Sequence, residues 1–301
     1  MNPCFHPVAN PLKISIVTPS FNQATFLEAT LHSVLGQGYP NLEYRVIDGG
    51  SSDSSQEILE RYSNQLSSWC SEPDQGQYDA INKGFHPSSG DIMAWINSDD
   101  MYTPWAFQIV NEIFTTLPDV EWLTTLCPIV WNAAGSPIYC AQRGGYTRQG
   151  FFKGENVPDS AWYSLGAIQQ ESVFWRRSLW EKAGANLDTR YPLAADFELW
   201  ARFFQHADLY TVSVPLGGFR THGNQRSVAQ AAQYQAEVNA ILKDYGGRTL
   251  GKLGAITTKI LKDYVRLPYA ARRRMTTWKL KPVHKHCAYD PTTQRWQVTN
   301  L

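Results

Sequence analysis

The sequence predicts an α/β fold in which a mostly parallel sheet is flanked by helices. Short apolar segments alternate with helical patterns through the first half of the chain, which is typical of repeated strand–helix units. Clusters of polar residues follow three of these segments, as expected when ligands bind at the carboxyl ends of parallel strands. The 301 residues suffice for one large domain or for a domain with an appended lobe.

Hydrophobic periodicity predicts the individual elements. Buried strands are expected at residues 14–18, 44–48, 92–96 and 210–214. Apolar residues at helical spacing predict helices at residues 26–35, 58–62, 79–85, 194–206 and 229–245. Ser54 and Glu57 match a capping box before the second of these helices, and Gly84 is the expected stop of the third.

The net charge is zero overall but is unevenly distributed. Residues 1–246 hold 15 Lys and Arg against 25 Asp and Glu, whereas residues 247–301 hold 12 against 2. This change predicts a domain at 1–246 and a basic C-terminal extension at 247–301, with an amphipathic helix up to Pro268. Two alternatives stay open for the extension: it contacts an anionic membrane surface, or it packs on the acidic body.

The spacing of the cysteines and the hydropathy of the sequence predict the cellular location. The five Cys are scattered with no CxxC pair, so reduced thiols and a cytoplasmic location are expected. The N-terminal residues lack the apolar segment of a signal peptide, and no stretch of about 18 apolar residues predicts a membrane-spanning helix. A peripheral position on the inner membrane face depends on the basic extension.

The polar strand ends suggest a site for a divalent cation. They are Thr18 to Asn22, Asp48 to Asp53 and Asn97 to Asp100. Paired carboxylates suit Mn²⁺ or Mg²⁺, which bridge phosphate oxygens. The sequence contains neither a P-loop nor a GxGxxG motif, which argues against ATP hydrolysis and hydride transfer.

Three segments carry a resemblance to a known family. KISIVTPSFNQATFLEATLHSVLGQGYPNLEYRVIDGGSSDSS resembles the opening of the family-2 inverting glycosyltransferases, which have the GT-A fold. DQGQYDAINKGF and GDIMAWINSDD follow in the order that the family has. The resemblance covers roughly residues 13–225, and its first 90 or so residues are the most specific.

The resemblance assigns expected roles to the donor site. The nucleotide pocket would be lined by Thr18, Pro19 and Asn22, with Asp48 accepting hydrogen bonds from the base. The ribose and phosphates would lie along Asp79, Asn82 and Lys83. The metal signature Asp-x-Asp would correspond to Asn97, Ser98 and Asp99.

Within that signature Asp99 is the surest metal ligand, because Asn97 lacks the negative charge. Asp100 would either support the metal ligands without binding the ion itself or cap a helix. The resemblance makes His222 a further metal ligand or a diphosphate contact, and a structural role is the alternative. Arg220 and Arg226 could pair with phosphates.

The acceptor side is expected to hold the general base. By the resemblance this is Asp196, and Glu198 is the competing carboxylate, which points about 200° away on a helix. The segment from Gln169 to Glu171 would line the sugar–acceptor pocket. Acceptor choice is expected to reside in the irregular residues 127–168, where no motif is found. Two roles remain possible for the tryptophans, which either pack in the core or stack on sugar rings: Trp95, Trp162, Trp175 and Trp200.

The leading hypothesis is a metal-dependent inverting transferase that moves a hexose from a nucleoside diphosphate, with a UDP-sugar as the expected donor. The acceptor would be a hydroxyl of a growing glycan or a lipid-linked sugar, with no role for nucleic acid. One alternative is a sugar-phosphate nucleotidyltransferase, although TPSFNQATF lacks the Gly and basic residues of its loop. A non-catalytic sugar-binding scaffold is the other.

Overall fold

The computed structural model describes residues 10–140, 142–157, 166–223, 229–248 and 283–301. Most of the basic extension, including its predicted amphipathic helix, therefore lies outside the described residues, as do Trp162 and Arg226.

A nine-stranded sheet forms the centre of the fold, with strand order β13-β12-β10-β6-β9-β4-β1-β2-β3. Its strands are β1 Ile14–Ser20, β2 Leu42–Asp48, β3 Ser68–Ser71, β4 Ile92–Trp95, β6 Trp122–Thr125, β9 Phe174–Arg176, β10 Tyr210–Val212, β12 Lys285–Asp290 and β13 Arg295–Asn300. Strand β9 runs antiparallel to β4 and β6, and β13 runs antiparallel to β12, while the other pairs are parallel. The predicted mostly parallel α/β sheet is thus confirmed.

Helices lie between and beside these strands. They are α1 Ala24–Leu35, α2 Ser55–Tyr62, α3 Gln77–Phe85, α4 Ala106–Thr116, α5 Arg148–Phe152, α6 Arg177–Lys182, α7 Ala195–His206 and α8 Ala231–Asp244. Helix α3 packs on β1 and β2, and α7 packs on α6 and α8.

A smaller sheet lies beside the first, with strand order β5-β11-β7-β8. Its strands are β5 Met101–Tyr102, β7 Ile129–Trp131, β8 Pro137–Cys140 and β11 Gly217–Arg220. Strand β5 begins directly after the polar residues that follow β4, so this sheet starts at the predicted site.

Tryptophans fill much of the core. The ring of Trp200 is stacked between Trp95, at a centroid distance of 5.9 Å, and Trp122, at 5.6 Å. Trp175 contacts the same cluster and is fully buried. The described tryptophans of the predicted set are therefore core residues, although Trp95 and Trp200 also border the cavity described below.

Two local predictions need correction. Helix α2 begins at Ser55, and the Ser54 side chain makes no capping hydrogen bond; the Asp53 carboxylate instead accepts from the Ser55 backbone N–H at 3.0 Å. Gly84 lies inside α3, where an added Cβ would be 2.5 Å from Val17 Cγ1. The glycine permits close packing of α3 on β1.

The described part of the basic extension joins the main sheet. Strands β12 and β13 form a hairpin, and β12 pairs with β10. Trp296 of this hairpin is buried and donates its indole N–H to Glu112 of α4 at 3.0 Å. Residues 283–301 therefore pack with the domain predicted for residues 1–246, and the boundary at 246 stays a prediction.

Candidate active site

A cavity of about 1100 Å³ opens at the carboxyl ends of β1 and β4. Strand β1 lies between β2 and β4 in the sheet, so the chain connections diverge there and leave a crevice, as is general for open α/β sheets. The predicted residues that line the cavity are Pro19, Asn97, Ser98, Asp99 and Asp196.

The Asn97 amide is held in place from two sides. Its Oδ1 accepts from Gln77 Nε2 at 2.7 Å, and its Nδ2 donates to Asp100 Oδ2 at 3.1 Å. Gln77 is the first residue of α3, so the segment after β4 and the start of α3 form one wall of the cavity. This arrangement presents Ser98 and Asp99 to the cavity.

Asp99 and His222 form a pair of potential metal ligands. The imidazole Nε2 of His222 lies 2.9 Å from Asp99 Oδ2, and the ring packs on Phe26 at a centroid distance of 4.5 Å. Within the described part of the chain, no group of three or more His, Cys, Asp or Glu side chains could hold a metal ion. The pair fits a cation whose remaining ligands come from phosphate oxygens and water, as is usual for Mg²⁺ at phosphate sites.

Asp100 connects the two sheets. Its Oδ1 accepts from the backbone N–H of Arg220 at 2.8 Å, and its side chain is buried. Burial, together with the charges of Glu171 and Asp99, raises the pKa of Asp100 well above its usual value. Since α4 begins only at Ala106, Asp100 does not cap that helix, and its support of the metal site stays a prediction.

Asp196 lies in the first turn of α7 and lines the cavity. Its Oδ1 is 3.5 Å from the Tyr78 hydroxyl, and burial raises the pKa of Asp196 to about 6. Glu198 is instead buried on another face, where it accepts from Arg202 Nη2 at 2.7 Å and from the Tyr245 hydroxyl at 2.6 Å. Of these two acids, only Asp196 lines the cavity.

Glu171 is a further buried acid on the cavity wall. It follows Gln170, whose Nε2 donates to the Trp95 carbonyl at 2.6 Å. Burial, with the nearby charges of Asp196 and Asp99, raises the pKa of Glu171 to about 7. The segment from Gln169 to Glu171 lines the cavity, as the resemblance implied.

Several predicted donor residues lie behind the cavity wall. The hydroxyls of Thr18 and Tyr44 share a buried hydrogen bond of 3.0 Å. The Asp48 carboxylate accepts from the Ser51 backbone N–H at 2.8 Å and from the Ser71 hydroxyl at 2.6 Å. These groups shape the loops at the strand ends, and neither Thr18 nor Asp48 is among the residues that line the cavity.

Asn22 ties two of those loops together. It adopts a left-handed backbone with φ 53°, which asparagine tolerates better than most residues. Its Oδ1 accepts from the Ser52 backbone N–H at 2.9 Å, and its own N–H donates to Ser51 Oγ at 2.7 Å.

The predicted residues of α3 also face away from the cavity lining. Asn82 donates to the Leu187 carbonyl at 2.9 Å and accepts from the Leu187 N–H at 2.7 Å, so both ends of its amide are used. Lys83 lies 3.4 Å from Asp79 and 3.5 Å from Glu72, in a partly exposed ion-pair cluster. The structure thus does not bring Asp79, Asn82 and Lys83 to the cavity with Asp99.

The sequence assigned no role to several other residues that line the cavity. Gln77 and Tyr78 belong to DQGQYDAINKGF, but the resemblance assigned roles only to later residues of it. Arg143 and Tyr234 also line the cavity and lie outside any recognised motif.

Comparison with known proteins adds to this geometry. Residues 15–161 match the model of Glycosyl transferase family 2. An uncharacterised glycosyltransferase of Nostoc is 31% identical over 108 residues, which is 35% of this chain and 34% of that protein. The chain spans about a third of the length of several such curated relatives.

Solved structures share the fold. S. aureus TarS in complex with UDP-GlcNAc superposes with a TM-score of 0.61 at 14% identity, covering 90% of this chain and 76% of TarS. The mannosyltransferase PcManGT from Pyrobaculum calidifontis, in complex with GDP-Man and Mn²⁺, gives a TM-score of 0.56 at 16% identity, covering 90% and 80%. The match over residues 15–161 identifies a family-2 glycosyltransferase region in this chain, and the solved structures show that the chain shares the GT-A fold.

Proposed function

We propose that this glycosyltransferase moves a hexose from a nucleoside-diphosphate donor, with UDP as the expected nucleotide, to a hydroxyl of a glycan or a lipid-linked sugar. The transfer inverts the anomeric centre and needs Mn²⁺ or Mg²⁺, and it serves polysaccharide biosynthesis. One observation carries the proposal: Asp99 and Asp196 line the same cavity, so the proposed metal ligand and the proposed base would face the same pair of substrates.

Asp196 acts as the general base. An inverting displacement needs the acceptor hydroxyl to lose its proton while its oxygen attacks the anomeric carbon from the side opposite the diphosphate. A raised pKa of about 6 keeps Asp196 ionised at neutral pH and makes it a stronger base than an ordinary aspartate. The Tyr78 hydroxyl, which donates to the Leu193 carbonyl at 2.9 Å, lies 3.5 Å from this carboxylate.

Asp99 and His222 would hold the metal ion, and Asn97 and Ser98 would contact the donor beside it. A bound divalent cation supplies charge neutralisation for the leaving diphosphate. Asp99 offers its carboxylate, and His222 offers Nε2 at 2.9 Å from it, while Asn97 is fixed by Gln77. The Mn²⁺ in the PcManGT complex, a protein of the same fold, supports this proposal.

The donor class follows from the fold neighbours and the strand-end loops. TarS binds UDP-GlcNAc and PcManGT binds GDP-Man, so proteins of this fold hold nucleotide sugars. In our proposal Pro19 lines the nucleotide pocket, while Thr18, Asn22 and Asp48 maintain the loops around it. Helix α3 is held in place by three residues outside the cavity lining: Asp79, Asn82 and Lys83.

The two alternatives have less support. A nucleotidyltransferase would need basic or glycine groups after β1, whereas the loop after β1 brings Phe21 and Gln23 to the cavity. A non-catalytic scaffold gives no reason for a buried carboxylate of raised pKa in the cavity wall.

The cellular setting is also proposed. None of the helices in the described segments is long and apolar enough to cross a membrane. We propose a cytoplasmic enzyme whose basic extension either rests on the anionic inner membrane face or packs on the acidic body. Liposome flotation of the full chain, with and without anionic lipid at low and high salt, separates these alternatives.

A panel of nucleotide sugars tests the activity. Each sugar is incubated with the protein and Mn²⁺, and release of nucleoside diphosphate is measured with and without EDTA. We expect one UDP-sugar to be hydrolysed in a metal-dependent reaction, and ¹H NMR of the released sugar, recorded before it mutarotates, to show inversion. Pyrophosphate-dependent conversion of a nucleotide sugar into a nucleoside triphosphate and a sugar 1-phosphate would instead support the nucleotidyltransferase.

A further inference from the structure

The guanidinium of Arg143 lines the cavity without a counter-ion from the described residues. Its Nε is buried and has no hydrogen-bond partner among the described residues. A buried guanidinium N–H that is left unpaired is costly, and charged groups in proteins are normally paired. The arrangement is that of a binding group whose partner arrives with a ligand.

Neighbouring residues fix the position of the Arg143 side chain. The Arg143 backbone N–H donates to the Leu126 carbonyl at 2.7 Å. Gly166 lies against the guanidinium, since a Cβ built there would be 2.7 Å from Nη1, and its φ of +97° favours glycine. Asn156 Nδ2 donates to the Gly166 carbonyl at 3.1 Å, which fixes this wall.

Arg143 lies away from the metal pair. Leu126 follows β6, whereas Asn97 to Asp99 follow β4, and β9 lies between these strands in the sheet. Neighbouring strands are about 4.8 Å apart, so the two strand ends are separated by about 10 Å. The backbone of Arg143 is therefore anchored about two strand spacings from the segment that carries Asp99, within the irregular segment expected to govern acceptor choice.

The charges around Arg143 make its position selective for anionic groups. Four acids line the cavity, Asp74, Asp99, Glu171 and Asp196, and Arg143 is the one Lys or Arg among the described lining residues. An acidic cavity repels anions, so an anionic group is accepted only where a fixed cation offsets that repulsion. A guanidinium suits carboxylate and phosphate because it donates two parallel hydrogen bonds.

We infer that Arg143 binds an anionic group carried by the acceptor, either the carboxylate of a uronic acid or a phosphate. This inference rests on the proposed function, because it assigns the far end of the cavity to the acceptor. It makes the enzyme selective for acidic glycans or sugar phosphates over neutral sugars.

Calorimetric binding tests it without relying on turnover. Methyl β-glucuronide, glucose 1-phosphate and neutral methyl β-glucoside are titrated into the full chain with UDP and Mn²⁺ present. The variants are Arg143→Gln and Arg143→Lys, and Arg148→Gln is the matched control because Arg148 is exposed and lies outside the cavity lining. UDP affinity is measured on each variant as the test of folding.

We expect one anionic compound to bind about 10- to 100-fold more tightly than methyl β-glucoside, as for a charge-assisted hydrogen bond. The compound that does so distinguishes carboxylate from phosphate. Arg143→Gln should remove the preference, Arg143→Lys should keep part of it, and Arg148→Gln should leave it unchanged.

Equal binding of anionic and neutral compounds, or no measurable binding of any, overturns the inference. So does a loss of UDP affinity in Arg143→Gln with unchanged binding of the glycosides, since Arg143 would then serve the donor. An anion preference in a protein that does not bind UDP supports Arg143 as the anion-binding residue while contradicting the proposed function.

Discussion

The imidazole Nε2 of His222 lies 2.9 Å from the carboxylate of Asp99, although 123 residues separate the two in sequence. The pairing of β5 with β11 explains the contact. Met101 is opposite Gly218 and Tyr102 is opposite Gly217, so the residues before β5 meet those at the end of β11. The hydrogen bond from Arg220 N–H to Asp100 extends the same pairing.

Replacing either member of this pair should weaken metal-dependent donor binding. We expect Asp99→Asn and His222→Gln each to weaken UDP binding in Mn²⁺ by about 10- to 100-fold, because the first removes the negative charge of the carboxylate and the second removes the imidazole nitrogen. Calorimetric titration of UDP with and without Mn²⁺ measures the effect.

Asp100→Asn is the matched control for Asp99→Asn. Asparagine keeps an oxygen acceptor for the Arg220 N–H, so we expect a smaller loss of metal-dependent binding than in Asp99→Asn. We also expect a lower melting temperature, because an amide replaces a buried carboxyl group. Undiminished metal dependence in Asp99→Asn, or a larger loss in Asp100→Asn, would contradict the assignment of Asp99 as ligand.

Asp196→Asn should separate chemistry from binding. The change keeps the shape of the side chain and removes its basicity, so we expect transfer to fall by about 10²- to 10⁴-fold with donor affinity retained. Initial rates of transfer and calorimetry of UDP measure the two quantities.

Glu198→Gln is the contrasting variant on the same helix. It weakens the contacts with Arg202 and Tyr245, so we expect a loss of stability of about 1–3 kcal/mol with most of the activity per folded molecule retained. If Asp196→Asn transferred normally while folded Glu198→Gln did not, Glu198 would be the base.

The pKa of Asp196 sets the expected pH dependence. Burial raises this pKa to about 6, and a base acts only when deprotonated. The value of kcat/KM should therefore rise with pH through about 6 and level off above it. Rates over about pH 5–8 test this, with UDP binding measured at each pH to separate titration of the metal site. A flat profile over this range would argue against Asp196 as the base.

The fold could be predicted because its signals are local. Apolar segments such as residues 14–18 and 92–96 are buried strands, and the polar residues after them meet at one cavity. Asp99 and Asp196 could be named because each stands in a segment with a recognisable pattern.

The direction of individual side chains could not be predicted. Asn82 and Lys83 stand in a motif that suggests donor binding, yet in the structure they contact Leu187, Glu72 and Asp79. Hydrogen bonds between distant segments decide these orientations, and a motif does not contain them.

The role of Arg143 depends on tertiary structure in the same way. Its neighbour Gly166 is 23 positions away in sequence, and the intervening residues form no regular pattern. Gly84 is a further example: its sequence position suggests a helix end, and only the packing against Val17 reveals why a side chain is absent there.

The last prediction compares two amides on helix α3. Gln77 lines the cavity and donates to Asn97 at 2.7 Å, whereas Asn82 faces the buried Leu187 backbone. We expect Gln77→Ala to raise the donor KM about 3- to 10-fold, equivalent to one hydrogen bond of about 0.5–1.5 kcal/mol, with little change in melting temperature. We expect Asn82→Ala to lower stability by about 1–3 kcal/mol, because it leaves the Leu187 N–H and C=O unpaired, while donor KM stays near that of the wild type. Thermal unfolding and donor-hydrolysis kinetics on both variants provide the comparison. A raised donor KM in a fully stable Asn82→Ala protein would mean that Asn82 contacts the donor, as the family resemblance implies.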